Sequence, residues 1–106
     1  MIKVDIYRKN SVSYFNGVKL DLLPTELVII FSTKIFNMKY DDIKNYSYDL
    51  KKSEDITIEF KNARNKFIIV IKPYTREHHK IIREHLDKYC KNKLEYVNNP
   101  LFNVVK

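Results

Sequence analysis

Lys66-Phe67-Ile68-Ile69-Val70-Ile71-Lys72-Pro73-Tyr74-Thr75, followed by Arg76-Glu77-His78-His79-Lys80-Ile81-Ile82-Arg83-Glu84-His85-Leu86-Asp87-Lys88-Tyr89-Cys90-Lys91, decides the fold. The first seven residues are a β-branched and aromatic run of strand length. Pro73 closes it, since proline lacks a ladder N–H and disfavours helix in the residue before it. Thr75 is a natural N-cap. After it, Ile81, Ile82, Leu86, Tyr89 and Cys90 recur on one stripe of a 3.6-residue period. Arg76, Glu77, Lys80, Arg83, Glu84, Asp87 and Lys88 take the other side and read as a solvated face. One late helix is thus offered to whatever the preceding residues build.

Those residues read as β. Ile2 to Arg8 alternates, with Ile2, Val4 and Ile6 on one side. Val12 to Leu23 is a second strand, interrupted at Asn16-Gly17. That pair signals either a hairpin turn or a bulge, and the bulge is favoured. Leu27 to Phe31 is uninterrupted apolar sequence, expected to be covered on both faces. Ile35, Phe36 and Met38 begin a fourth strand. Ile43 to Asp49 is a fifth, with Tyr46, Tyr48 and Leu50 facing the core and Ile43 plugging the turn before it. Ile56, Ile58 and Phe60 line a sixth, and Lys66 to Lys72 returns as the seventh. The fold class is therefore mainly β, about seven antiparallel strands capped by one C-terminal helix. Residues 1–94 form the barrel and helix. Residues 95–106 form an apolar extension holding Tyr96, Val97, Leu101, Phe102 and Val104. An apolar terminus must bury something, either on its own sheet edge or on a partner.

Composition bounds the chemistry. The 106 residues suffice for one core. The formal charge of +7 permits an acidic partner of any kind, or only keeps the chain in solution. A single cysteine, Cys90, forbids an internal disulfide and a cysteine-based zinc site, and favours a reducing cytoplasmic setting. The N-terminus lacks the pattern of a signal peptide, and no apolar run approaches a membrane span. With one glycine, a dinucleotide-binding GxGxxG is impossible.

No catalytic, cofactor or metal constellation emerges. His78, His79 and His85 are the best metal candidates, but His78 and His85 stand seven apart, not the i, i+4 spacing of helical metal pairs, and read as residues at the border of the core. Asp41 and Asp42 are adjacent on a turn and lack the facing geometry of an acid–base pair. Cys90 lies on the apolar stripe, where a buried inert thiol is expected.

Three stretches resemble the bacterial pleckstrin-homology-like, or GRAM-like, family. Leu23-Pro24-Thr25-Glu26-Leu27-Val28-Ile29 is similar to its threonine turn leading into an apolar strand. Lys39-Tyr40-Asp41-Asp42-Ile43-Lys44-Asn45-Tyr46 is similar to the step where its chain leaves one sheet, with the isoleucine plugging the corner. Asp55 to Phe60, Lys66 to Ile71 and the helix from Thr75 resemble its closing hairpin and cap. The resemblance spans roughly residues 12 to 91 and implies an open barrel with the helix plugging one end, without catalysis. The first expectation for function is accordingly an interaction module that binds a protein partner, or a second copy, through a strand edge or the tail. The alternative is a peripheral binder of anionic membrane lipids through a cationic first loop, with Arg8 and Lys9 on that loop, Lys3 behind it and Lys34 on a neighbouring one. Nucleic acid comes third, on charge and eight tyrosines alone.

Overall fold

Alternation of apolar and polar residues sets most of the strands, which lay their apolar sets on one side of a single sheet, while the strands Glu26–Ile30 and Ile68–Pro73 are apolar on both faces. A computed structural model describes residues 1–50, 55–61 and 66–98, the last three by their backbone only. The strands are Ile2–Arg8 (β1), Tyr14–Leu22 (β2), Glu26–Ile30 (β3), Ile35–Lys39 (β4), Ile43–Asp49 (β5), Ile56–Phe60 (β6), Ile68–Pro73 (β7) and Leu94–Asn98 (β8). The helix α1 runs Arg76–Cys90. The sheet order is β4-β3-β2-β1-β7-β6-β5-β8, curled into a half-barrel. Among the described residues there are eight strands rather than about seven. The extra one is β8, which lies parallel to β5 while every other pairing is antiparallel.

The core lies inside the curl. Val4, Leu20, Leu27, Ile56, Ile58 and Ile71 have no exposed surface, and Ile82 and Leu86 of α1 close over them. The helix starts where its cap dictates: Thr75 is extended, and its hydroxyl accepts a hydrogen bond from His78 N at 3.1 Å. Buried residues on α1 are His79, Ile82, Leu86 and Cys90. This stripe is rotated from the expected one. Ile81 and Tyr89 are exposed, and His79 takes an inward position instead. The reason is the i, i+3, i+7, i+11 spacing of the buried set, which keeps closer to one line than the five apolar residues do.

Two further expectations change. Leu27 and Ile29 are buried, but Val28 and Ile30 are only half-covered, so β3 alternates instead of being covered on both faces. Its apolar outer residues sit near the edge of the sheet, two strands from β1, where little packs over them. The division at 94/95 falls inside β8, because pairing with β5 carries the strand from Leu94 through Asn98. Residues 99–106, and with them Leu101, Phe102 and Val104, lie outside the described residues.

Asn16-Gly17 is a bulge. Val4 pairs with Val18 and Ile6 with Phe15, so Asp5 alone stands opposite the pair. Gly17 has φ of +62°, a left-handed conformation that glycine adopts without strain. Asp5 fastens it, accepting from Gly17 N at 2.9 Å and from the Tyr74 hydroxyl at 2.6 Å. Those hydrogen bonds, Tyr74 first, hold the Asp5 carboxyl below its ordinary range. No helix among the described residues is long and apolar enough to cross a membrane, which leaves membrane crossing by strands untouched.

Candidate functional site

The two ends of the half-barrel are built differently, and the difference locates the site. At one end α1 brings polar groups inward. Asp87 accepts from the Tyr46 hydroxyl and, at 3.2 Å, from the Tyr48 hydroxyl. Loss of solvent first, and the Asp87 carboxylate second, push Tyr48 up to about 12 and raise Tyr46 as well. His85 Nε2 lies 2.8 Å from Leu23 O and 2.7 Å from the Tyr40 hydroxyl, which itself donates to Leu23 O at 2.7 Å. A carbonyl only accepts, so Nε2 carries the hydrogen. By the same logic His79 Nδ1 accepts from Arg83 at 2.9 Å, because a guanidinium only donates. Lys93 donates to Tyr40 O. Asp87 and Arg83, read from the sequence as solvated, thus bind inward partners. His79 and His85 bind different partners, and His78 gives its backbone N–H to the Thr75 cap. Among the described residues no group of three His, Cys, Asp or Glu side chains gathers to hold a metal ion. Burial pushes the Cys90 thiol up to about 11, the direction of an unreactive sulfur.

The other end is open. Two polar turns frame it. In the β1–β2 turn Arg8 N donates to Ser13 O at 3.2 Å, and in the β3–β4 turn Phe31 N donates to Lys34 O at 2.9 Å. Between them lies a cavity of about 270 Å³, floored by Ile6, Ile29 and Ile69 and walled by Phe15, Phe31 and Phe67. Phe15 and Phe31 meet edge to face with ring centres 5.0 Å apart. Phe15, Phe36 and Ile35 at the rim are 42%, 46% and 64% exposed, unusual for residues of their size. Arg8 and Lys34 stand on the same rim. Arg8 lies over the Phe67 ring, its guanidinium carbon 4.6 Å from the ring centre. Among the described residues no acidic side chain lines the cavity.

Of the four cations named from sequence, two meet here. Lys9 borders a separate depression on the outer face with Tyr7, Asp49 and Asp55. Lys3 is exposed opposite Lys19. Tyr96 and Val97 belong to β8, where their backbone pairs with Ser47 and Tyr48 of the same chain. Sequence reasoning missed the aromatic rim. Its signal was present: Phe15, Phe31, Phe36 and Phe67 flank polar turns, and large apolar residues at both feet of two neighbouring turns mark an uncovered mouth.

The chain matches no known family model, and no curated protein matches it. The site therefore rests on its own geometry.

Proposed function

We propose that this chain is a non-catalytic module of the pleckstrin-homology-like kind that docks its open mouth onto an anionic lipid surface. The single observation that carries the reading is the union of exposed Phe15, Ile35 and Phe36 with Arg8 and Lys34 on one rim. An apolar tip inside a cationic collar suits a membrane interface, where rings enter the acyl boundary and cations stay at the head groups. Magnitudes are adequate for reversible binding. Each cation near an anionic leaflet is worth about 1 kcal/mol, and each newly buried large apolar side chain adds up to about 1.5–3 kcal/mol. The meander β4-β3-β2-β1, the β7-β6-β5 set and the helix packed across the core support the family reading.

The test is co-sedimentation with vesicles. Binding is expected to vesicles rich in phosphatidylglycerol and not to pure phosphatidylcholine, to weaken as salt rises, and to be lost in the Arg8→Glu, Lys34→Glu double variant. No binding to anionic vesicles even at low salt would retire the reading.

A second reading has its own observation. β4 ends the sheet on its side, and Ile35 on it is 64% exposed. An open edge of this kind suits strand addition by a protein partner, a second copy included. Sedimentation equilibrium tests the second copy: concentration-dependent association abolished by Ile35→Lys supports it, and a monomer at all concentrations removes it.

A further inference from the structure

We infer that the mouth cavity is a binding site for one fatty carboxylate, its chain among Ile6, Ile29, Ile69 and Phe67 and its acidic head between Arg8 and Lys34. The inference rests on the same mouth as the proposed membrane docking but asks more of it, a saturable site for a single molecule. Three features support it. The floor and walls are apolar, with Ser13 the one neutral polar residue of the lining, so hydrocarbon is the matching content. Both charged residues of the lining are cations and both stand at the rim, so the occupant carries one negative end and carries it outward. Among the described residues neither Arg8 nor Lys34 has an acidic partner. The Arg8 fork rests on an aromatic ring and is available to a carboxylate, which it fits with two parallel hydrogen bonds.

Size selects the chain. At roughly 30 Å³ per water-sized group, 270 Å³ holds about nine methylene-sized groups. That is the length of decanoate. It is too little for a whole membrane lipid, so the site takes a medium-length free acid or the outer half of a longer one. The acid head is shared with anionic phospholipids. The inference commits to the free carboxylate, and bilayers enter only as a comparison.

The experiment titrates the full chain with decanoate, followed by calorimetry and by methyl shifts in ¹³C-labelled isoleucine. Saturable one-to-one binding is expected, with the shifts concentrated on Ile6, Ile29 and Ile69. Hexanoate should bind about two hundredfold more weakly for its four missing methylenes. Decanol and the Arg8→Gln variant should each lose about tenfold or more, the worth of one charge-assisted hydrogen bond. Ile69→Phe fills the floor and should abolish binding. If circular dichroism shows that variant unfolded, Ser13→Phe at the rim takes its place. Absence of saturable binding overturns the inference, as does binding that survives both the filled cavity and Arg8→Gln. Vesicle docking without decanoate binding would sink this inference and leave the membrane reading standing. Decanoate binding without vesicle docking would do the reverse.

Discussion

The helix end and the open end of this half-barrel are made from the same kinds of residue, yet only one is finished. At the helix end Ile82, Leu86 and Cys90 are fully covered, and the inward polar groups of Tyr40, Tyr46, Tyr48, His85 and Asp87 are bound among themselves. At the open end Phe15, Ile35 and Phe36 leave much of their surface in water. Stability is gained where burial is complete, so side chains left uncovered contribute little to the fold and are free to serve a ligand.

The contrast can be broken most sharply at Leu86. Leu86→Ala removes a side chain with no exposed surface and should cost about 2–5 kcal/mol in chemical denaturation. A loss under about 0.5 kcal/mol, the size of an ordinary surface change, would mean that α1 is not docked on the core. Next comes Asp87. Replacing it with Ala strands the hydroxyls of two buried tyrosines and should cost about 1–3 kcal/mol. An unchanged denaturation midpoint would show that the tyrosines find water instead.

Alkaline pH probes the same clamp without mutation. Tyr48 is raised to about 12 in the folded chain and Tyr46 is raised too, through burial first and Asp87 second. An unfolded tyrosine titrates near about 10. Above that value the unfolded chain sheds protons that the native one keeps, so stability falls as pH rises. Below it the contribution is intact. Urea midpoints should therefore be flat up to about pH 10 and decline through about 12. A flat response throughout would place these hydroxyls in solvent. The smallest effect belongs to the open end. Phe36→Ser should change stability by less than about 1 kcal/mol while weakening vesicle and decanoate binding. A larger loss would mean that the mouth is part of the core after all.

Much of the fold was legible from residue pattern. Strand alternation, the Thr75 cap, the Asn16-Gly17 bulge and the Ile43 plug are local, and local spacing carries them. The fate of residues 94–98 was not, because whether an apolar segment pairs with its own sheet or another chain depends on an edge some fifty residues away. The inward turn of His79, Arg83 and Asp87 was also hidden. A charged residue on a helix reads as solvated until a distant tyrosine claims it, and nothing near Asp87 in sequence announces Tyr46. At the site, Arg8 and Lys34 could be named as cations of neighbouring turns. Their shared rim with Phe15 and Phe36 needed the curl of the sheet.

β8 has a bearing on how the chain comes together in time. It pairs with β5 only after β6, β7 and the whole of α1 have intervened, a separation exceeded among the strand pairs only by that of β1 and β7. Closing so large a loop costs entropy before any ladder bond repays it, and such contacts form late. During synthesis the β5 edge is therefore expected to stand bare while the rest of the barrel assembles, a template for pairing with other nascent chains. The last strand then acts as a latch that silences this edge. Pulse-labelled amides along β8 should gain protection later on refolding than those of the β5–β6 and β6–β7 ladders, and a chain stopped at Lys93 should aggregate more readily than the full one at equal concentration.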